Sequence, residues 1–432
     1  MTRSPLMVSL AICLLCLLLT ARAQTPTIPR IALQGGSKAR KAFSMTQTRN
    51  PNWKWRQIPV TALYAAPFLK HHLRMPEPLK EAVDELQMEV INRTSLVHER
   101  ANGQTAVGTN GLYTFPVHIG KPAQTFNIMF DTGSGDFWVW SWLMPQTLTN
   151  GRNVYNATKS SESDRLTGQS FNVNYAQGSA YGVVWQDTVT VNGEYSIQGN
   201  PVECAQNVGG TNLPGLTGVD GIMGLNTWIN DSEYPSPQQT WLSFIVDQYL
   251  PAPVFTVALV RNGVGTMDFG TIDAKKYTGS LVYTPVVPLP GWAESGYWLV
   301  NWSGFSIGKG SFNSTVHQVF VDSGCNLVLL PTSIARKYYA QIRGSWQQTN
   351  GFWMFPCAAT TPTFTFGLGT SRITIPSNHM VFQVVDGGNC LGAVQEIEED
   401  SYVLIGVPWL EALFVVHDYG AKRLGFALRP SY

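Results

Sequence analysis

Two short stretches of this chain share one pattern, and they constrain its fold more than any other feature of the sequence. Residues 128–134 read Ile-Met-Phe-Asp-Thr-Gly-Ser, and residues 319–325, 191 positions further on, read Val-Phe-Val-Asp-Ser-Gly-Cys. Each apolar run is typical of a buried strand, and each places one Asp, Asp131 or Asp322, on a turn that contains glycine. A buried carboxylate is costly unless its charge is stabilised or used. The repetition therefore predicts a duplicated lobe whose two carboxylates meet where the copies join.

A second signature follows each Asp at a similar interval. Residues 221–225 read Gly-Ile-Met-Gly-Leu, and residues 404–407 read Leu-Ile-Gly-Val. The lag from Asp131 to Gly224 is 93 residues, and the lag from Asp322 to Gly406 is 84. Two ordered motifs at comparable intervals support the interpretation of a duplicated lobe.

Together with Tyr-Ala-Gln-Gly-Ser at 175–179 and Phe-Gly-Thr-Ile-Asp at 269–273, these motifs resemble those of pepsin-type aspartic endopeptidases, closest in style to the secreted fungal members. The resemblance runs from about residue 111 to residue 427. It implies the all-β, bilobal pepsin-like acid protease fold, in which two pseudo-symmetric β lobes enclose an active-site cleft. The composition agrees, because only 13% of the residues are charged and runs such as 185–191 alternate at period 2.

The N-terminus predicts extensions ahead of the lobes. Residues 1–23 combine Arg3, a short apolar stretch and Ala-Arg-Ala before Gln24, which is typical of a cleaved secretory signal; an uncleaved anchor is the alternative. Residues 24–100, called the N-terminal segment below, carry 12 Lys and Arg against 6 Asp and Glu, whereas residues 101–432 carry 15 against 22. A basic segment ahead of an acidic domain favours an intramolecular partner. The segment is therefore interpreted as a propeptide, followed by an N-terminal lobe at 101–285 and a C-terminal lobe at 286–432.

One residue of the N-terminal segment is a candidate inhibitor. In the resembled family a propeptide Lys enters the cleft and pairs with the catalytic carboxylates, and Lys70 is the best candidate here. His71 replaces the Tyr that often follows in fungal members. A solvated Lys in a linker is the alternative. Further on, residues 79–86 are typical of a helix, with Pro78 in its first turn.

The resemblance assigns Asp131 and Asp322 as a catalytic dyad. Two facing carboxylates cannot both ionise readily, so the pair shares one proton over a broad acidic range, as in the well-known pepsin dyad. The ionised member acts as general base on a water, and the protonated member donates to the substrate carbonyl oxygen. This chemistry requires neither a metal nor another cofactor.

The resemblance also implies supporting residues. Residues 171–191 are typical of a hairpin, and Tyr175 would cover the bound substrate from this flap, whose glycines permit a tight turn and motion. Gly133 and Gly324 would let substrate backbone approach closely. The flap also includes Gly178 and Ser179, and the residues expected to support the dyad are Thr132, Ser134, Ser323, Cys325 and Trp138.

The cysteines and sequons agree with an oxidising, secretory route. Cys357 and Cys390 lie at the position of the family's second-lobe disulfide, which leaves Cys204 and Cys325 as free, buried thiols. A nucleophilic role for Cys325 lacks a partnering His motif, and no zinc-binding motif occurs outside residues 1–23. Candidate N-glycosylation sites are Asn92, Asn156, Asn230, Asn301 and Asn313.

Two departures from the family pattern surround the second Asp. Relatives usually place Thr where this chain has Cys325, and many acid-active relatives place Asp where it has Val407. A thiol is a weaker hydrogen-bond donor than a hydroxyl, and valine offers no polar group. Fewer hydrogen bonds to an ionised carboxylate raise its pKa. The sequence therefore predicts activity that extends to less acidic pH than in a typical relative.

The sequence as a whole predicts a secreted aspartic endopeptidase, made as a zymogen with an acidic optimum. We expect a monomer that cleaves extended polypeptides and is inhibited by its own propeptide. The sequence offers no nucleic-acid-binding pattern and no membrane anchor beyond the signal. The alternative is a secreted protein of this fold that binds proteins or saccharides without cleaving them, although such relatives typically lack an Asp or the flap.

Overall fold

A computed structural model describes residues 40–47, 60–71, 73–93, 113–149, 152–175, 178–193, 195–209, 218–226, 232–261, 263–289, 296–398 and 402–430. The predicted signal at 1–23 and the junction near residue 101 lie outside the described residues. The described chain is built from strands in five sheets, with short helices between them. The all-β prediction is confirmed.

The first half of the chain forms one eight-stranded sheet in the order β2-β3-β8-β4-β7-β6-β5-β9. Its long hairpin, β5 and β6, alternates buried and exposed side chains toward its tip and is the hairpin predicted from the sequence. The strands are β2 Thr114–Ile119, β3 Gln124–Asp131, β4 Phe137–Trp140, β5 Asp164–Tyr175, β6 Gly178–Val191, β7 Tyr195–Gly209, β8 Gly221–Gly224 and β9 Glu233–Tyr234.

The second half repeats the central part of that sheet with five strands in the order β13-β15-β24-β16-β23. Two smaller sheets pack beside it, in the orders β14-β19-β20 and β17-β18-β22-β21. The strands are β13 Leu299–Trp302, β14 Gly304–Ile307, β15 His317–Val321, β16 Val328–Pro331, β17 Trp346–Gln347, β18 Trp353–Pro356, β19 Phe364–Leu368, β20 Ser371–Ile375, β21 Val381–Val385, β22 Asn389–Gly392, β23 Val394–Ile397 and β24 Tyr402–Ile405.

A six-stranded sheet draws on both halves of the chain and on the N-terminal segment. Its order is β1-β11-β10-β25-β26-β12, and β1 pairs antiparallel with β11 so that Phe43 lies opposite Phe269. The strands are β1 Phe43–Thr46, β10 Val254–Ala258, β11 Thr266–Phe269, β12 Thr278–Pro285, β25 Leu413–Asp418 and β26 Arg423–Leu428.

Two of the helices belong to the N-terminal segment. The predicted helix at 79–86 is confirmed and is longer than expected, with Pro78 in its first turn, whereas the helix that ends at Lys70 was not predicted. A helix in the second half of the chain begins at Thr332 after Pro331 and has no side-chain cap. None of the described helices is long and apolar enough to cross a membrane. The helices are α1 Val60–Lys70, α2 Glu77–Arg93, α3 Gln146–Thr149, α4 Trp241–Gln248, α5 Thr332–Tyr339 and α6 Val407–Leu410.

The N-terminal segment shares its apolar core with the rest of the chain. Tyr64, Phe68 and Leu79 are each 0% exposed and join a buried cluster that also contains Trp138 and Phe320. Burying one such aromatic side chain stabilises by about 1.5–3 kcal/mol. The segment is therefore an integrated part of the fold rather than a loosely attached leader.

Tyr64 makes the most specific of these contacts. Its hydroxyl donates to the Glu396 carbonyl at 2.7 Å and accepts from the Glu396 amide at 3.0 Å. The Tyr64 ring also lies 4.8 Å from the Phe352 ring, centroid to centroid. One hydroxyl thus satisfies both backbone groups of a residue in β23.

We expect Tyr64→Phe to destabilise the complete chain by about 2 kcal/mol, because it leaves two buried backbone groups without a partner. Urea unfolding of the complete chain at neutral pH measures the change. Tyr234→Phe is the matched control, because Tyr234 is 74% exposed. Equal midpoints for the two variants would contradict the prediction.

Candidate active site

The chain places Asp131 and Asp322 at equivalent points of the two repeated sheets. Asp131 ends β3 and lies opposite Gly224 in the parallel pair β3 and β8. Asp322 follows β15, and its amide donates to Ile405 O at 3.0 Å on the parallel neighbour β24. Each Asp motif therefore stands beside the apolar-Gly motif that follows it in sequence, which explains their matched lags.

The four motif glycines are required by close backbone approaches. A Cβ added at Gly224 would collide with the backbone of Gly135, and one at Gly406 would collide with Leu327 O. A Cβ at Gly133 would lie 2.5 Å from the Asp322 carboxyl group, and one at Gly324 would lie 2.5 Å from Asp131 Oδ1. The sequence predicted Gly133 and Gly324 to admit substrate backbone. In the structure they let each turn approach the opposite carboxylate.

Hydrogen bonds between the two turns hold the carboxylates at this joint. Thr132 Oγ1 donates to Val321 O at 2.9 Å and accepts from Ser323 N at 2.9 Å. Ser323 Oγ donates to Phe130 O at 2.9 Å and accepts from Thr132 N at 3.0 Å. The structure thus brings together the two hydroxyls expected to brace the dyad, and each bonds the backbone of the other turn.

Lys70, the last residue of α1, lies between the two carboxylates. Its Nζ donates to Asp131 Oδ1 at 2.6 Å and to Asp322 Oδ1 and Oδ2 at 2.8 Å each. Both Asp side chains are at most 1% exposed, so these ion pairs are shielded from solvent. One ammonium group therefore contacts both members of the predicted dyad.

Burial and the ion pairs set the charge states. Burial would lower the pKa of Lys70, but the charges of Asp131 and Asp322 raise it above its usual value, so Lys70 stays cationic. Burial raises the pKa of Asp131, and the charge of Asp322 adds to the rise. Burial would also raise the pKa of Asp322, but the charge of Lys70 and a hydrogen bond from His71 hold it well below its usual range. Asp322 is therefore held in its ionised form while Lys70 is in place.

The two turns support their carboxylates differently. Gly133 N and Gly324 N donate to the Oδ1 atoms of Asp131 and Asp322 at 2.9 and 2.8 Å. Ser134 Oγ donates to Asp131 Oδ2 at 2.5 Å, as the sequence predicted. Its counterpart Cys325 instead directs its thiol to a backbone carbonyl.

That carbonyl is Leu327 O, 3.3 Å from Cys325 Sγ. The thiol was expected to support the dyad weakly, and in the structure its hydrogen bond does not go to Asp322. Val407, the other departure from the family pattern, is buried beside it, and its amide donates to Cys325 O at 2.7 Å. Both departures therefore lie next to each other at the second turn.

The candidate flap residues lie at the end of the β5–β6 hairpin. Tyr175 ends β5 opposite Gly178, whose φ of 141° favours glycine, and Ser179 follows on β6. The buried Tyr175 hydroxyl accepts a hydrogen bond of 3.0 Å from Trp138 Nε1. The predicted tip, which includes Gln177, lies outside the described residues.

Sequence reasoning missed three buried carboxyl groups beside this hairpin. Asp136, Glu203 and Glu233 are each at most 3% exposed, and Glu233 lies on β9 opposite Phe171 of β5. Ser232 Oγ donates to Asp136 Oδ1. Burial, followed by the charge of Asp136, raises the pKa of Glu233 to about 8. The sequence around a single acidic residue on a strand does not indicate that it will be buried beside other carboxyl groups, because the cluster forms only when β4, β7 and β9 assemble.

The cysteines and sequons occupy defined places. The predicted Cys357–Cys390 disulfide is present, and Cys204 and Cys325 are free and buried. Among the described residues, no group of three or more His, Cys, Asp or Glu side chains is arranged to hold a metal ion. Of the sequons, Asn301 and Asn313 are exposed, Asn156 is partly buried, Asn92 lies in α2, and Asn230 lies outside the described residues.

Comparison with known proteins extends the likeness over most of the chain. Residues 112–429 match the family model described as Eukaryotic aspartyl protease. The chain is 35% identical to endothiapepsin of Cryphonectria parasitica over 396 residues, which cover 89% of this chain and 90% of that protein. It is 33% identical to podosporapepsin of Podospora anserina over 94% of each chain. It is 36% identical to penicillopepsin-3 of Penicillium janthinellum over 73% of this chain and 78% of that protein.

The carboxyl cluster predicts a pH-dependent stability. A carboxyl group whose pKa is higher in the folded state than in the unfolded state stabilises the fold at pH values below its unfolded-state pKa. It loses that contribution as the pH rises through its folded-state pKa. We therefore expect the free energy of unfolding to fall between pH 6 and pH 8, and Glu233→Gln, which cannot ionise, to flatten that fall. Urea unfolding of the complete chain across this range measures the slope. Glu81→Gln, at an exposed position of α2, is the matched control, and equal slopes in all three proteins would refute the prediction.

Proposed function

The chain belongs to the eukaryotic aspartyl protease family, and from this membership we propose that it is a secreted zymogen that hydrolyses peptide bonds with a water activated between Asp131 and Asp322. That it is an aspartic endopeptidase follows from the family itself. The proposal adds the precursor state, the identity of the dyad, the activated water, the acidic optimum and secretion.

One observation carries the assignment of the dyad. A single nitrogen atom, Lys70 Nζ, lies 2.6–2.8 Å from oxygen atoms of both carboxylates. Any small hydrogen-bonding group at that point reaches both Asp131 and Asp322. A water bound there in the mature enzyme would contact both carboxyl groups, which is the geometry that general acid–base catalysis needs.

The chemical steps use only these two groups. The ionised carboxylate accepts a proton from the water as the water oxygen bonds to the peptide carbonyl carbon. The protonated carboxyl group donates its proton to the carbonyl oxygen. The resulting tetrahedral intermediate breaks its C–N bond as the amine nitrogen takes a proton from one carboxyl group and a hydroxyl of the intermediate returns a proton to the other. The pair starts and ends with one shared proton, so no covalent enzyme intermediate forms.

The surrounding residues would position this reaction. Ser134 orients Asp131 by donating a hydrogen bond to Asp131 Oδ2. Thr132 and Ser323 fix the separation of the two turns. Tyr175, held by Trp138, would lie over an extended polypeptide substrate in the cleft. We propose that such polypeptides are the substrates of a monomeric enzyme.

The same contacts support the precursor state. Lys70 occupies the position proposed for the water, so a substrate and the N-terminal segment exclude each other. The segment carries a net charge of +6 and the rest of the chain from residue 101 a net charge of −7, which favours docking near neutral pH. Protonation of carboxylates on acidification weakens this attraction, which agrees with an acidic optimum. Cleavage after Glu99-Arg100 would then release a mature form that starts near residue 101.

We expect Asp131→Asn and Asp322→Asn each to lower acid proteolysis by at least about a hundredfold, because water activation needs both carboxyl groups. Cleavage of denatured haemoglobin at acid pH, with and without pepstatin, measures the loss. The wild-type precursor should convert to a form that begins near residue 101 after an acid shift, and neither variant should convert by itself. Appreciable turnover by either variant would reject the dyad, and a precursor fully active at neutral pH with its segment attached would reject the zymogen.

The second turn predicts where the pH profile lies. Cys325 and Val407 offer no hydroxyl or carboxyl group to Asp322, so the dyad of the mature enzyme should titrate higher than in relatives that have Thr and Asp there. We expect Cys325→Thr with Val407→Asp to shift the limbs of the kcat/KM profile toward acid by roughly one pH unit. Cys204→Ser, which removes the other free thiol, is the control. Unmoved limbs in the double variant would show that these residues do not set the range.

A further inference from the structure

The two carboxylates differ in what bonds their outer oxygens. Asp131 Oδ2 accepts from Ser134, a residue of its own turn, at 2.5 Å. Asp322 Oδ2 receives nothing from the equivalent Cys325, whose thiol points to Leu327 O. Instead it accepts from His71 Nε2 at 2.8 Å. The N-terminal segment thus supplies to Asp322 the donor that the second turn lacks.

His71 is deeply enclosed at this position. Its side chain is 0% exposed, and its ring lies 4.7 Å from Phe320 and 5.6 Å from Tyr297, centroid to centroid. The charged groups that face it are Asp322, Lys70 and Asp131. Its second ring nitrogen, Nδ1, is buried and has no hydrogen-bond partner within the described part of the chain.

We propose that His71 is a second anchor of the N-terminal segment on Asp322, and that protonation of its ring expels the segment from the cleft when the medium becomes acidic. The inference rests on the proposed function, because it names how the precursor state of that same site is regulated.

The hydrogen bond fixes the form of His71 in the docked state. A carboxylate oxygen only accepts, so Nε2 must carry the proton that it donates to Asp322. A neutral ring with this tautomer leaves Nδ1 as an unpaired acceptor. A protonated ring would instead bury an N–H without an acceptor and place a second cation beside Lys70. Neutral His71 is therefore the form that fits the cleft.

Acidification acts against this form. Burial lowers the pKa of His71 from its usual value, and the charge of Lys70 lowers it further, although Asp322 opposes both effects. Once the segment leaves the cleft, His71 enters water and regains an ordinary pKa near 6.5. Release therefore takes up a proton.

The sign of the effect follows from this difference. The docked state holds its full stability above the free pKa of His71 and loses it as pH falls below about 6.5. The equilibrium constant for release gains up to about tenfold for each pH unit in the window between the free and the docked pKa. Lys70 stays cationic throughout this window, so it cannot supply the response. Protonation of the dyad adds a pH dependence of its own, so comparison with variants of His71 isolates the share that comes from His71.

Full-length precursors test the inference. Release after rapid acidification to pH values between 6.5 and 4.5 is followed by intrinsic tryptophan fluorescence and by the onset of cleavage of a quenched fluorescent peptide. His71→Gln keeps an N–H donor, and His71→Tyr keeps a donor and an aromatic ring, but neither side chain takes up a proton in this range. His118→Gln removes a histidine that lies on β2 and bonds Thr125, away from the cleft, and is the matched control.

We expect both His71 variants to release more slowly than the wild type below pH 6, with a pH dependence reduced by about one proton, a difference of up to about tenfold per pH unit. The His118→Gln precursor should follow the wild type. Equal pH dependence in the wild type and both His71 variants would overturn the inference.

A direct titration covers the case in which a variant fails to fold. In precursor with labelled histidine side chains, the NMR signal of His71 should titrate below pH 6.5. The signal is identified by its loss in whichever variant folds, or by its proximity to Phe320. A signal that titrates at or above 6.5 in the docked state would also overturn the inference.

Failure of the inference and failure of the proposed function look different. Mature enzyme from the wild-type and His71→Gln precursors has one sequence, because residue 71 is removed with the segment. If acidified wild type never gains proteolytic activity, the proposed function fails. If every precursor gains activity with the same pH dependence, only the role of His71 fails.

Discussion

Two carboxylates buried at one joint are the constraint on which this structure depends. Asp131 and Asp322 are each at most 1% exposed, and isolated charges there would be strongly unfavourable. Turn amides donate to both, the Thr132 and Ser323 hydroxyls lock the turns together, and Lys70 neutralises charge from within the cleft. The duplicated sheets and the motif glycines place the two turns around the carboxylate oxygens of Asp131 and Asp322. The docked N-terminal segment places Lys70 beside the same oxygens.

Local sequence patterns predicted part of the fold and part of the candidate site. Asp131 and Asp322 were found because an apolar strand that ends in Asp and Gly is a local signal, and its repetition excluded chance. The helix at 79–86 and the β5–β6 hairpin were predicted for the same reason. The Cys357–Cys390 pairing came from the resemblance alone.

What could not be predicted depends on distant contacts. β1 is a strand because β11 offers it an edge, and nothing in residues 43–46 alone requires that pairing. α1 contains Pro67 and lacks acidic residues in its first turn, so its own sequence favours it weakly, and burial of Tyr64 and Phe68 stabilises it. His71 was noted only as a departure from Lys-Tyr, because its bond to Asp322 spans 251 positions.

In the proposed zymogen, the second turn affects both the precursor and the mature enzyme. Cys325 gives Asp322 no side-chain hydrogen bond, and the N-terminal segment supplies such bonds instead. His71 and Lys70 together stabilise ionised Asp322 more than the second turn alone would. The same deficiency leaves Asp322 with fewer donors once the segment departs, which favours a higher titration of the free dyad. A chain with Thr in place of Cys325 would hold Asp322 without help and would gain less from His71. Under the proposed function, inhibition in the precursor and activity at milder acidity in the mature form would both follow from one missing hydroxyl.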